Sequence, residues 1–180
     1  MTAVLGQHGF WITSRAAGVV ALLCSSAAVG VGLVMSGRLL RIRQADLRVL
    51  HESLSLSALV ALAVHALVLL GDGFLHLSLA DVALPFASGY HRWWMAAGIT
   101  GGWGLAILGL SYYARGRIGV RRWRRLHRFT ALAWLLGLVH ALGQGTDAGT
   151  LWFVVSLAIV AVPALVLLAL RASDTEPART

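Results

Sequence analysis

Five stretches of this chain carry no charge, and each is close to the length that crosses a bilayer. Between Arg15 and Arg38 lie 22 uncharged residues, between Glu52 and Asp72 19, and between Arg92 and Arg115 22. Between Arg128 and Asp147 there are 18, and between Asp147 and Arg171 23. A helix rises about 1.5 Å per residue, so about 20 apolar residues span the hydrocarbon core. The first run exceeds the apolar segment of a signal peptide, and no basic residue precedes Arg15. The reading is all-α: an integral-membrane bundle of five transmembrane helices over 14–37, 49–71, 92–115, 122–144 and 149–171. They form a single domain over 1–180, with a polar tail at 172–180.

Composition narrows the class. Only 12% of residues are charged and 58% are hydrophobic, where a soluble domain has about 25% charged. That excludes a soluble protein and a disordered one. The net charge of +8 comes wholly from arginine, since the chain has no lysine. A nucleic-acid binder needs a polar surface to carry such charge, and none is available here. Cys24 is the single cysteine and lies inside an apolar run, so there is neither a disulfide framework nor a cysteine metal site.

The arginines sort by side. Arg38, Arg41, Arg43 and Arg48 fall between the first two runs, and Arg115, Arg117, Arg121, Arg122, Arg124, Arg125 and Arg128 between the third and fourth. The other side has only Arg15 and Arg92, beside Asp72, Asp81 and Asp147. Basic residues concentrate in cytoplasmic loops, which predicts an outside N-terminus and a cytoplasmic C-terminus in a multi-pass protein of the cell membrane, read as a bacterial plasma membrane. Contact with anionic membrane lipid accounts for much of this basic surface. Trp11, Trp93, Trp94 and Trp152 fall near the outer ends, and Trp123, Tyr112 and Tyr113 near the inner ends, as interfacial aromatics do. The outer connection between the second and third runs, with an apolar patch at 75–79, Pro85 and His91, is too interrupted to span; it reads as a half-helix over the outer face.

This direction makes the second and fourth helices parallel, and four of the seven histidines lie on them. His51 and His65 are 14 residues apart, and His127 and His140 are 13 apart. His51 and His127 share one depth and His65 and His140 another, the layers being about 20 Å apart. An ionisable residue deep in a span is a functional-site hypothesis by default. Two imidazoles at each depth make two axial pairs for two stacked hemes, and filling both axial positions of an iron favours electron transfer. At about 100° per residue, 14 residues return to within about 40° of the starting face, but 13 miss by about 140°. The fourth helix therefore needs a π-bulge or overwinding near Gly137, or a large tilt.

Other readings stand beside this one. A single membrane histidine is commonly an interhelical hydrogen-bonder worth about 0.6 kcal/mol. A proton or metal transporter carries buried Asp or Glu, and the five runs hold none. Gly18, Gly30 and Gly32 in the first run and Gly98, Gly101, Gly102, Gly104 and Gly109 in the third admit close approach of a macrocycle, or simply of a neighbouring helix. Anionic heme propionates would meet Arg48, Arg124 or Arg128 near the inner layer and Arg92 near the outer. His8, His76 and His91 fall outside the membrane and read as solvated.

The segment His51-Glu-Ser-Leu-Ser-Leu-Ser-Ala-Leu-Val-Ala-Leu-Ala-Val-His65, with Arg122-Trp-Arg-Arg-Leu-His127 and Val139-His140, resembles the ferric reductase-like transmembrane domain. That superfamily includes NADPH oxidases, ferric reductases and the membrane subunit of periplasmic methionine-sulfoxide reductase. The stretch 108–127 is similar to its connection into the second ligand helix, and the unequal spacings of 14 and 13 also belong to the family. The resemblance covers roughly residues 11–170. It implies that His51 and His127 hold a cytoplasmic-side heme and His65 and His140 an outer one. Members commonly have six helices, and the first is expected to be missing. The larger reductases continue into a flavin and nicotinamide domain, whereas no Gly-rich phosphate-binding turn follows the fifth run here.

The expected function is therefore a di-heme b-type membrane cytochrome with two bis-histidine hemes. Electrons would come from a separate cytoplasmic flavoprotein reductase or from quinol, and pass to ferric iron, oxygen or an exported redox protein. The alternative is a heme-containing membrane anchor or assembly subunit without transmembrane electron flow.

Overall fold

The computed structural model describes residues 2–37, 42–73 and 75–173, and the side chains from residue 9 onward within them. The chain is helical throughout its elements: α1 (Thr2–Gly37), α2 (Gln44–Leu69), α3 (Leu79–Ala83), α4 (Arg92–Leu110), α5 (Arg115–Ile118), α6 (Val120–His127), α7 (Thr130–Gln144) and α8 (Leu151–Ser173). Five spans are long and apolar enough to cross a membrane: Gly9–Gly37, Gln44–Leu69, Arg92–Leu110, Val120–Gln144 and Leu151–Ser173. Each takes in one of the five uncharged runs or most of it, and they reach past the runs to include charged residues such as Arg15, Glu52, Arg128 and Arg171. Several boundaries move. The first helix begins well before residue 14, the second at Gln44, and the third ends at Leu110 instead of near 115. The helix of the last span takes in Ala172 and Ser173, residues expected in the tail. Arg38, Arg41 and tail residues 174–180 lie outside the described residues.

The bundle carries an apolar outer surface, as a lipid solvent requires, and buries small polar side chains among its apolar core. Ser14, Ser25, Ser26 and Asp147 are buried, while Val60, Ile107, Ile159 and Val162 face outward. With no water to satisfy them, polar groups turn inward and find each other. Trp134 is fully buried, and its indole Nε1–H donates to the Ser26 hydroxyl at 2.9 Å; that hydroxyl donates to the Leu22 carbonyl at 2.7 Å. Around Trp134 pack Leu22, Leu138, Phe153, Leu157, Ala161 and Ala164, the core shared by α1, α7 and α8. Ser26→Ala leaves the indole N–H without its acceptor, a loss of about 1–2 kcal/mol. Reversible unfolding in detergent should read this as a lower unfolding midpoint with the helical signal unchanged.

Helix directions follow from the contacts. His51 meets the Ala28 carbonyl and His65 meets Ser14, so α1 and α2 run antiparallel. His127 lies by Leu108 and His140 by Trp94, so α4 is antiparallel to α6 and α7. Gly30 faces Ala164 and Ser36 accepts from Arg171 at 2.6 Å, so α8 runs parallel to α1. At Gly101 an added Cβ would stand 2.7 Å from the Ala133 carbonyl oxygen, so α4 and α7 approach backbone to backbone. α1 packs along α2, α4 along α7 and α8 along α1, whereas α2 touches α4 only sparsely. The space between these pairs is the cavity described below.

The fourth span is interrupted, but not at Gly137, which sits in unbroken helix. The break falls at Arg128 and Phe129, directly after His127. Phe129 N–H reaches the Leu126 carbonyl at 2.9 Å and Ala131 N–H the Arg128 carbonyl at 3.3 Å, both i to i−3 bonds. The Thr130 hydroxyl caps the His127 carbonyl at 2.6 Å. A residue in such a turn advances about 120° instead of about 100°, which adds rotation in the direction that closes the 13-residue shortfall.

Of the connection between α2 and α4, the helical part is α3, a single turn at 79–83 and not at 75–79. Ser78 caps it: its hydroxyl accepts from Asp81 N–H, while the Asp81 carboxylate accepts from the Ser78 N–H at 2.9 Å and hydroxyl at 2.6 Å. Those two bonds hold the Asp81 carboxyl below the usual carboxylate range, the hydroxyl contributing most. Trp103 on α4 pins the turn by donating to the Ala83 carbonyl at 2.8 Å.

Candidate cofactor site

The structure brings the four span histidines together in two pairs. The rings of His51 and His127 have centroids 6.2 Å apart at 80° between planes, and those of His65 and His140 6.4 Å apart at 72°. The pairs come from α2 on one side and from α6 and α7 on the other, which therefore run parallel. A metal–imidazole bond is about 2.0–2.1 Å and the ring centre lies about 1.1 Å behind the nitrogen, so two imidazoles on opposite sides of one metal ion have centres about 6.2 Å apart. Both pairs are at that spacing.

Each imidazole is held by its other nitrogen. Nδ1 of His51 meets the Ala28 carbonyl at 2.9 Å, that of His65 the Ser14 carbonyl at 2.8 Å, that of His127 the Leu108 carbonyl at 3.4 Å and that of His140 the Trp94 carbonyl at 2.8 Å. A carbonyl can only accept, so Nδ1 carries the proton and Nε2 keeps its lone pair. This is the arrangement that orients a metal-binding imidazole. Ser14 adds a second hold on His65: its hydroxyl lies 3.1 Å from Nδ1 and donates to the His65 carbonyl at 3.1 Å.

Glycines make room for the rings. An added Cβ at Gly18 would stand 2.9 Å from His65 Nδ1, at Gly32 3.2 Å from His51 Cε1, and at Gly98 2.5 Å from His140 Nδ1. These three glycines seat histidines. Gly102 and Gly109 instead face Leu62 and Leu59 at ordinary contact distance, and Gly101 and Gly104 face Ala133.

All four histidines line one cavity of about 1940 Å³. A pocket for one drug-sized ligand has about 300–1,000 Å³, so this volume suits two such groups. Arg48, Arg124 and Arg128 are on its wall near the His51–His127 layer. Arg92 is not on the wall; its guanidinium lies over the Phe86 ring, 5.7 Å from the centroid. At that end the wall arginine is Arg15, which forms a two-pronged ion pair with Asp147 and lies 4.9 Å from the centroid of the Trp11 ring. Residues Leu75, Leu77, Leu79, Val82 and Ala83 also line the cavity, so the connection between α2 and α4 contributes to its wall. His76 and His91 are exposed and off the wall, and the side chain of His8 is outside the description.

Some of these residues have functions that the sequence pattern did not single out. Asp147 is 4% exposed and Arg15 36%, so the pair ties the α7–α8 connection to α1 beside the Ser14–His65 clamp. Asp147→Ala removes the buried anion and loosens that end. The expected loss is about 1–3 kcal/mol, because Arg15 remains partly solvated. Guanidinium- or heat-induced unfolding should show it, and a midpoint equal to wild type would contradict the tie. Among the described residues two buried side-chain polar atoms lack a hydrogen-bond partner, Trp123 Nε1 and Gln144 Oε1. Both residues line the cavity, Trp123 four positions before His127 and Gln144 four after His140.

Comparison of the chain with protein-family models, with curated proteins and with solved structures gives no match.

Proposed function

We propose that this protein is a di-heme b-type cytochrome of the membrane, akin to the ferric reductase-like transmembrane domain, that carries electrons from one face of the bilayer to the other. The observation that carries this reading is the spacing of the two histidine pairs, 6.2 and 6.4 Å between ring centroids. Among the described residues no three His, Cys, Asp or Glu side chains gather as a metal-binding group. Two imidazoles alone leave a bare transition metal short of ligands, whereas a porphyrin supplies four nitrogens and needs two more. His51 and His127 would hold one heme, and His65 and His140 the other. Arg48, Arg124 and Arg128 offer charge partners for carboxylates at the first.

A bis-imidazole heme supplies reversible one-electron transfer with no open iron position for oxygen. The chain does the rest. Four backbone carbonyls fix the imidazole tautomers. The apolar wall excludes water, and the arginine-rich end, cytoplasmic by its charge, meets the donor, either a flavoprotein or quinol. The opposite end delivers to ferric iron, oxygen or an exported redox protein. The setting is a bacterial plasma membrane.

Purified protein from heme-replete cells tests this through reduced-minus-oxidised spectra and heme counted per chain. Two low-spin hemes are expected; folded, heme-free protein sinks the reading. Reconstitution in sealed vesicles, with reductant on one side and acceptor on the other, separates the electron carrier from a heme-containing anchor, which would bind heme yet pass no electrons.

A further inference from the structure

Trp123 combines two features. Its ring stacks on His127, with centroids 4.9 Å apart and planes 28° apart. The residue lines the cavity, and its Nε1 is buried without a hydrogen-bond partner. An indole N–H can only donate, so it needs an acceptor. The Glu52 carboxylate on the same wall accepts from the Tyr113 hydroxyl at 2.8 Å, and the nearby cations are donors. Arg124 and Arg128 line the same wall, and Arg115 lies over Tyr112 at 3.8 Å, which itself packs edge-on against Trp123. Guanidinium groups accept nothing. An acceptor that enters among three cations is favoured if it is an anion, and flat oxygen pairs suit both the indole N–H and guanidinium forks.

We infer that Trp123 is a positioning residue of the arginine-rich layer: its indole N–H donates to a carboxylate of the group held by His51 and His127, while its ring sets the plane of His127. This rests on the heme reading above and extends it by naming the residue that receives the acidic edge. The indole also accounts for the long Nδ1 bond of His127, 3.4 Å where the other three are 2.8–2.9 Å. Among the described residues that imidazole has the longest backbone bond of the four and the only stacked aromatic ring.

The test uses the full-length chain in detergent with both hemes bound, comparing wild type with W123F and W123L. Phenylalanine keeps the stack and removes the donor. W123F is expected to keep two hemes and an unchanged low-spin paramagnetic resonance spectrum. Its propionate-bending band in the resonance Raman spectrum should move to lower frequency, and one of two redox midpoints should fall while the other stays. The fall follows from a carboxylate charge left less compensated, which favours the ferric state. W123L is expected to add a change in one low-spin resonance, because the ring that fixes His127 is gone. A W123F protein with wild-type Raman bands and both midpoints unmoved overturns the hydrogen bond. Wild-type protein without heme overturns the reading beneath it, and is told apart by the heme count alone.

Discussion

On the proposed di-heme reading, His140→Ala is expected to halve the low-spin bis-imidazole heme signal and abolish electron transfer across the membrane, while the His51–His127 layer keeps its spectrum. The two pairs share no residue, and α2 joins them over 14 residues, about 20 Å of helix. Loss of one imidazole therefore leaves the other layer intact. His65→Ala should give the same half-signal, since a pair fails when either member goes. His140→Gly with added imidazole supplies the control: a small ligand entering the vacated space should restore the low-spin signal if the side chain serves as a ligand. If His140 were only an interhelical hydrogen-bonder to the Trp94 carbonyl, the variant would lose about 0.6 kcal/mol and no heme signal at all. Optical and paramagnetic resonance spectra of purified variants decide between these outcomes.

The spans were legible because charge is costly in lipid, so an uncharged run marks the body of each helix, although Arg15 falls within the first span and Arg171 within the last. The pairing of His51 with His127 was legible too, from helix direction and depth. What depth cannot supply is azimuth. Arg92 sits at the level of the His65–His140 layer in sequence, yet it points over Phe86 and Arg15 takes the cavity wall. The break after His127 is marked by no Gly or Pro, since Arg128 and Phe129 are ordinary helix residues; only tertiary packing reveals that the turn tightens there. The acceptors that hold the imidazoles are backbone carbonyls of Ala28, Ser14, Leu108 and Trp94. Every residue has a carbonyl, so this shell leaves no trace in residue identity. The glycines were visible as a class, but nothing local distinguishes Gly98, which faces a histidine, from Gly102, which faces Leu62.

That distinction gives a graded experiment. An added methyl would stand 2.5 Å from a ring atom at Gly98, 2.9 Å at Gly18, 3.2 Å at Gly32 and 3.5 Å from a leucine methyl at Gly102. Real Cβ contacts below 3.0 Å essentially do not occur, so something must move. At Gly98 the obstacle is the body of the His140 ring, with Nδ1 and Cγ both within 2.6 Å, and that ring is tied to the Trp94 carbonyl one turn earlier on the same helix. It cannot swing aside without giving up the bond that fixes its tautomer. Overpacking of this kind costs about 1–3 kcal/mol in a well-packed interior, and here it falls on a ring whose position sets the pair spacing. On the same proposed reading, Gly98→Ala is therefore expected to lose most of the heme assigned to His65 and His140, Gly18→Ala a smaller share, and Gly32→Ala little from the His51–His127 layer. Gly102→Ala should match wild type, because 3.5 Å is ordinary contact and the leucine can adjust. The order is read from heme per chain and from the low-spin signal at fixed protein concentration, with helical content as a check on folding. Equal behaviour of Gly98→Ala and Gly102→Ala would mean that these glycines serve helix packing alone, and that the position of His140 does not depend on the missing side chain beneath it.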